Sequence, residues 1–269
     1  MNDSGPMSIS LGKLHLPRIL CLHGGGVNAH VFRLQCRGLF RALGDSFRFV
    51  FPDAPYCSPA DPSIMPTYAH LQPFRRWLRW NQDQPNPGAE AIRRNIDGAL
   101  REAMARDDAV GATGDWVAIM GFSQGAKIAA SVLLSQQLRT TKFGPRQAGT
   151  NFKFAVLLAG RAPLISLDPE LTDSLALADA DELTTGAFSQ VTGSFLRGSE
   201  EHRLSLPTIH VHGTQDAGLE DHRRLLTDYC REGTTRLVEW DGDHRVVIQE
   251  TDVARVAQEI LMLSKDPSS

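Results

Sequence analysis

The sequence predicts an α/β fold, with a mostly parallel central sheet and helices on both of its faces. Three observations carry this. Six short apolar runs of strand type fall at residues 18–22, 47–51, 116–120, 152–160, 207–213 and 235–240. Stretches of helical periodicity separate them, and strands that alternate with helices form parallel units buried on both sides. The third observation is Met120-Gly121-Phe122-Ser123-Gln124-Gly125-Ala126, where the strand-type run 116–120 passes through Gly-x-Ser-x-Gly into a good helix opening. A strand, a sharp turn and a helix are the setting in which this motif presents a nucleophilic serine. The glycines keep the crossing narrow, and the helix N-terminus favours developing negative charge beside Ser123.

Bulk properties fit one globular domain spanning residues 1–269. Hydrophobic residues make up 42% and charged residues 22%, and the net charge of −3 gives no reason to expect nucleic acid or an anionic membrane as partner. Cys21, Cys36, Cys57 and Cys230 lack metal-ligand spacing and read as free thiols, three of them in strand-like or helix-like runs. Residues 1–10 lack the basic start and apolar stretch of a signal peptide, and no apolar run approaches the ~20 residues of a membrane span. A cytoplasmic location is the expectation.

The elements follow in order. The strand 18–22 ends in His23-Gly24-Gly25-Gly26, whose glycines let backbone N–H groups approach a ligand. Gly25 N–H, paired with Gln124 N–H, is the expected oxyanion hole, with Gly26 as competitor. His23 is expected to bond the loop backbone. Residues 28–43 read as one helix, followed by the strand 47–51 and Pro52-Asp53-Ala54-Pro55, where Asp53 reads mainly as a cap. Eight prolines between Pro52 and Pro87 rule out a long helix or regular strand in the loop of about 55–87. Its Tyr68, Phe74, Trp77 and Trp80 read either as a pocket wall or as pins for a surface loop. Arg75, Arg76 and Arg79 either meet an anionic carrier or are solvated. Helices are expected at 88–106 and from the serine turn to residue 138.

Residues 165–206 break the alternation and read as a lid insertion with a helix within 169–183, the alternative being a surface decoration. After the strand 207–213 comes Thr214-Gln215-Asp216. Asp216 fits the acid that orients a histidine, with Asp221 a weaker competitor. His210 and His212 share one face of their strand and read as packing rather than a metal pair. A helix at 218–230 and the strand 235–240 lead to Asp241-Gly242-Asp243-His244, which puts His244 in the general-base position. His202 and His222 read as solvated. A helix at 249–263 and a loose tail close the chain. Residues 7–16 are too short for an extra antiparallel hairpin.

The order Ser123, Asp216, His244, each after a strand, is that of the α/β-hydrolase fold, which places its site at strand C-terminal ends. The combination of 22–28, Phe51-Pro52-Asp53-Ala54-Pro55, Gly121-Phe122-Ser123-Gln124-Gly125 and Gly213-Thr214-Gln215-Asp216 resembles the family of serine hydrolases that includes fungal members and the ovarian-cancer-gene-2-like proteins. The resemblance runs from about Arg18 to Leu263. It implies an esterase or thioesterase without metal or organic cofactor, acting on a small-molecule acyl substrate. Several fungal members release polyketide chains from the acyl carrier domain of a synthase, and this sequence is similar to those. General carboxylesterase, acyltransferase and silent binding protein are the other readings. Where many relatives have Gly-His-His at the base, this chain has Gly242-Asp243-His244.

Overall fold

The computed structural model describes residues 13–172, 174–184 and 200–265. The readings made for residues 1–10, for much of 165–206 and for the last four residues lie outside that set.

Six strands form one sheet: β1 (Arg18–Leu22), β2 (Arg48–Val50), β5 (Trp116–Phe122), β6 (Phe154–Leu158), β7 (Thr208–Gly213) and β8 (Thr235–Trp240). The order is β2-β1-β5-β6-β7-β8, with every neighbouring pair parallel. Side chains alternate between two cores, as a strand period of two requires. Leu20, Leu22, Ile119, Ala155 and Leu157 point into one core. Ile19, Cys21, Met120, Phe154 and Val156 point into the other.

The first core is closed by α3 (Ala89–Ala109), α4 (Gln124–Phe143) and α5 (Leu219–Tyr229). Ile92, Ile96, Leu100 and Ala103 form the buried stripe of α3. The second core is closed by α1 (Ala29–Gln35), α2 (Arg37–Leu43) and α6 (Glu250–Lys265). Residues 28–43 are thus two helices rather than one. Cys36 leaves helical geometry at φ −81°, ψ 8°, and its N–H reaches back to Leu34 O and Phe32 O. α4 outruns its expected end and stops at Gly144, which has φ +86°.

Asp107 fastens the β2 edge. Both of its oxygens accept from Arg48, at 2.5–3.0 Å, and Arg18 lies 3.4 Å from it while stacking 4.2 Å over Trp116. Asp107 and Arg18 are buried, so the pairing satisfies charges that would otherwise be stranded.

The Pro-rich segment is mostly irregular, with a two-residue antiparallel pair, β3 (Tyr56–Cys57) and β4 (Arg75–Arg76). Within 169–183 the described residues form turns and Ala178 bridges Ile165, so the helix expected there is not present. The alternating acids explain this: Asp179 N–H is bonded by Glu182 and Ala180 N–H by Asp179, so side chains take the local amides.

Chain direction reverses at β1. The connection through α1 and α2 leads outward to β2, and the later strands of this sheet, β5 to β8, build on the opposite side. The loops after β1 and β5 therefore flank a topological switch point, the crevice where open α/β sheets bind ligands.

Candidate active site

Ser123 stands at the turn between β5 and α4 with φ 53°, in the left-handed region. Close packing enforces the turn. A Cβ on Gly121 would lie 2.2 Å from the Gly125 backbone, and one on Gly125 would lie 2.1 Å from Leu22 O. Both positions therefore exclude a side chain, and Ser123 Oγ is raised above the sheet.

His244 follows β8 and Asp216 follows β7. His244 Nε2 lies 3.0 Å from Ser123 Oγ, and His244 Nδ1 lies 2.5 Å from Asp216 Oδ2. The Asp216 side chain is fully buried, and its other oxygen accepts the Gly218 N–H at 2.7 Å. Burial alone would raise the Asp216 carboxyl, but hydrogen bonds from His244 and Gly218 N–H outweigh it and hold the group well below the usual carboxylate range. The structure brings these three residues together and leaves Asp221 apart, on α5 beside Arg224.

The glycine loop lies beside the serine turn: a Cβ on Gly24 would come 3.6 Å from Ser123 Cβ, and one on Gly25 2.9 Å from the Gln124 side chain. Among the described residues no acceptor takes the Gly25 or the Gln124 N–H, whereas Gly26 N–H donates to Arg75 O at 2.9 Å. The Gly26 N–H, the competing donor, is thus engaged within the loop. The Gln124 side chain clamps the Pro-rich loop: Oε1 accepts from Trp77 and Leu78 N–H, and Nε2 donates to Leu78 O. His23 ties two loops, with Nδ1 2.7 Å from Gly24 O and Nε2 accepting the Ala54 N–H at 3.0 Å. Burial lowers its ring to about 4, so it stays neutral.

Ser123 and His244 open into a recess of about 210 Å³ lined by Val27, Ile64, Tyr68, Phe122, Val246 and Ile248. Tyr68 is thus a wall residue, while Trp77 is a pin, buried with its Nε1 donating to His23 O. A larger recess, about 610 Å³ between α3 and α4, contains none of Ser123, Asp216 and His244.

Several expectations are corrected. His202 and His222 are fully buried rather than solvated. His202 packs edge-on against the Tyr229 ring, and its Nε2 lies 3.2 Å from Asp228 O. His222 shares the inward face of α5 with Leu225 and Tyr229, a spacing visible in the sequence. Its Nε2 is 3.6 Å from Asp216 Oδ2, and burial lowers its ring to about 3. Arg76 is buried over the Tyr56 ring and donates to Pro85 O, so it is neither solvated nor free for a carrier. Arg79 bonds the loop carbonyls of Gln82, Gln84 and Asp181. Asp53 caps α1 through the Ala29 N–H rather than the turn after it. Asp243 pairs with Arg245 at 2.6 Å, local and partly exposed.

His210 and His212 are buried with perpendicular rings 5.8 Å apart. Asp216, His222 and His244 offer donor atoms within 4.8 Å of one another, but an ion there would have to displace the short Asp216–His244 hydrogen bond. No described helix is long and apolar enough to cross a membrane.

Over residues 13–255 the sequence matches the family described as Serine hydrolase (FSH1). The chain belongs to this family. It is 48% identical to the esterase claE of Penicillium crustosum over 253 residues, 94% of each chain. It is 49% identical to the esterase citA of Monascus ruber over 93% of each. The family and these relatives make this serine hydrolase an enzyme with ester-hydrolase activity. Among solved structures it resembles a Bacillus cereus carboxylesterase, with TM-score 0.51, 16% identity and coverage of 92% of this chain and 89% of that one. It likewise resembles Zea mays acyl-protein thioesterase 2, with TM-score 0.51, 16% identity and coverage of 93% and 94%. At such identities the likeness is one of fold, the α/β-hydrolase fold.

Proposed function

We propose that this serine hydrolase cleaves an acyl thioester through an acyl-Ser123 intermediate, releasing a polyketide or fatty acyl chain from a carrier protein in the cytoplasm. The hydrogen-bonded line Ser123–His244–Asp216 beside two unengaged N–H groups carries the chemical part of this reading. His244 Nε2 takes the Ser123 proton as Oγ attacks the acyl carbonyl. Asp216 holds Nδ1–H and stabilises the imidazolium that forms. Gly25 and Gln124 N–H groups receive the oxyanion, aided by the N-terminus of α4. His244 then protonates the leaving thiolate, and water deprotonated by the same ring hydrolyses the acyl-enzyme.

The carrier-bound thioester is supported by the resemblance to polyketide-releasing fungal members. Arg76 and Arg79 of the Pro-rich loop add nothing to it, since both are engaged within the fold. A general carboxylesterase is the second reading, favoured by relatives whose names say only esterase. The test is a matched acyl panel offered as oxygen ester, pantetheine thioester and carrier-bound thioester. Preference for the carrier-bound form by tenfold or more in kcat/KM is expected; equal or better turnover of free oxygen esters would make the enzyme a general carboxylesterase.

A further inference from the structure

One turn into α4, Lys127 donates its backbone N–H to Ser123 O at 3.1 Å. Its neighbours Ala126, Ile128, Ala129 and Ala130 belong to the core, and Lys127 itself is only 5% exposed. No acceptor among the described residues takes a hydrogen bond from its amine, and burial pushes that amine down to about 8. Asp221 and Glu182 oppose that shift and Arg161 adds to it.

Lys127 lines a cavity of about 310 Å³ beyond the acid loop, with Arg161, Glu182 and Asp221 among its walls. None of Ser123, Asp216 and His244 lines it, but it abuts them through Gly218, whose N–H donates to Asp216, and Thr184, whose Oγ1 accepts from the Gln124 side chain. Two polar atoms of these walls are buried without a hydrogen-bond partner, Arg161 Nε and Glu182 Oε2. Arg161 also reaches the reacting groups, its Nη2 lying 3.4 Å from Asp216 Oδ1. Nothing in the packing of α4 calls for a lysine at this depth. Buried donors and acceptors left unpaired cost free energy, and native folds keep them where a ligand or ordered water completes them. A saturated chain entering the cavity would expel water and strand all three groups. A chain bearing oxygens would supply their partners.

We infer that this cavity is a subsite for the acyl chain carried by Ser123, recognising its oxygens: Lys127 and Arg161 donate to a keto or enolate oxygen and Glu182 accepts from a hydroxyl or enol. This rests on the acyl-enzyme reading above and narrows it, from polyketide or fatty acyl chains to oxygenated ones.

The test compares two pantetheine thioesters of equal carbon number, one 3,5-dioxo and one saturated, on the wild type, Lys127→Met and Lys127→Gln. The readout is the ratio of their kcat/KM values. In the wild type the dioxo chain is preferred. Lys127→Met lowers the ratio by about tenfold, the loss of one strong buried hydrogen bond, and Lys127→Gln, which keeps a donor, lowers it less. A wild type that prefers the saturated chain, or a ratio unchanged within twofold in Lys127→Met, overturns the subsite. Thermal melting guards against a folding artefact, because replacing a buried lysine with an apolar side chain should raise Tm in Lys127→Met. Absence of acylated Ser123 with either thioester would instead defeat the underlying reading.

Discussion

The two recesses beside the first turn of α4 contrast in how they treat polar groups. On one side, Ser123, His244 and Asp216 are paired to one another, with donors and acceptors in line at 2.5–3.0 Å. On the other, Lys127 lines a cavity in whose walls Arg161 Nε and Glu182 Oε2 are buried with no hydrogen-bond partner among the described residues. Paired groups are preorganised and need no ligand to hold their geometry. Unpaired buried groups are completed from outside. On the proposed reading, the difference separates the groups that act on the acyl carbonyl from those that choose among acyl chains.

The comparison can be broken most forcefully at the paired side. Ser123→Ala should lower kcat by roughly 10⁴–10⁶ with Tm unchanged, measured by ester hydrolysis and thermal melting. Retained turnover would show that another nucleophile acts. Asp216→Asn should follow with a loss on the order of 10⁴, since the amide favours the wrong His244 tautomer. A much smaller loss would mean that His244 is held by something other than Asp216.

The clamp between the two recesses comes next. Gln124→Ala strands the Trp77 and Leu78 N–H groups at the base of the Pro-rich loop. It should destabilise the fold by about 1–3 kcal/mol and raise KM more than it lowers kcat. A pure kcat defect would place the side chain in the chemistry itself.

The unpaired side is sharpened by pH. The folded Lys127 amine, at about 8, lies below its ordinary 10.5, so folding disfavours the charged form. That penalty is fully present below pH 8 and vanishes above pH 10.5, so stability gains a few kcal/mol as pH rises through this window. Lys127→Met should lack this gain in melts compared with wild type. The smallest effect is the slope on the acid side. His210, His212 and His222 are held neutral by burial, near 3 to 4, against an ordinary 6.5. The unfolded chain binds their protons first, so stability should fall steadily as pH drops from 6.5 toward 4. His212→Asn should flatten that fall, and an unchanged slope would show that other groups set it.

Much of the paired side was legible in the sequence because it is built from local rules. Gly-x-Ser-x-Gly fixes the strand–turn–helix, and Asp216 and His244 each directly follow an apolar run. The bond from Gly26 N–H to Arg75 O, by contrast, carries no sequence signal. The unpaired side is made of residues brought together across long separations. Arg161, Lys127 and Glu182 carry no shared spacing, and only the fold places them on one cavity. His222 was misread because a histidine in an acidic, arginine-rich helix looks solvated; its spacing with Leu225 and Tyr229 was the overlooked signal. The helix expected within 169–183 failed because side-chain oxygens there compete for the backbone amides.

The central claim is that the acyl group passes through Ser123. Its most direct test is intact-mass and peptide mapping after rapid acid quench of the enzyme mixed with a dioxo-acyl pantetheine thioester. The account predicts a transient mass increase equal to the acyl group, located on the peptide that contains Ser123 and absent in Ser123→Ala. Turnover with no adduct at Ser123, or an adduct on another residue, would contradict it.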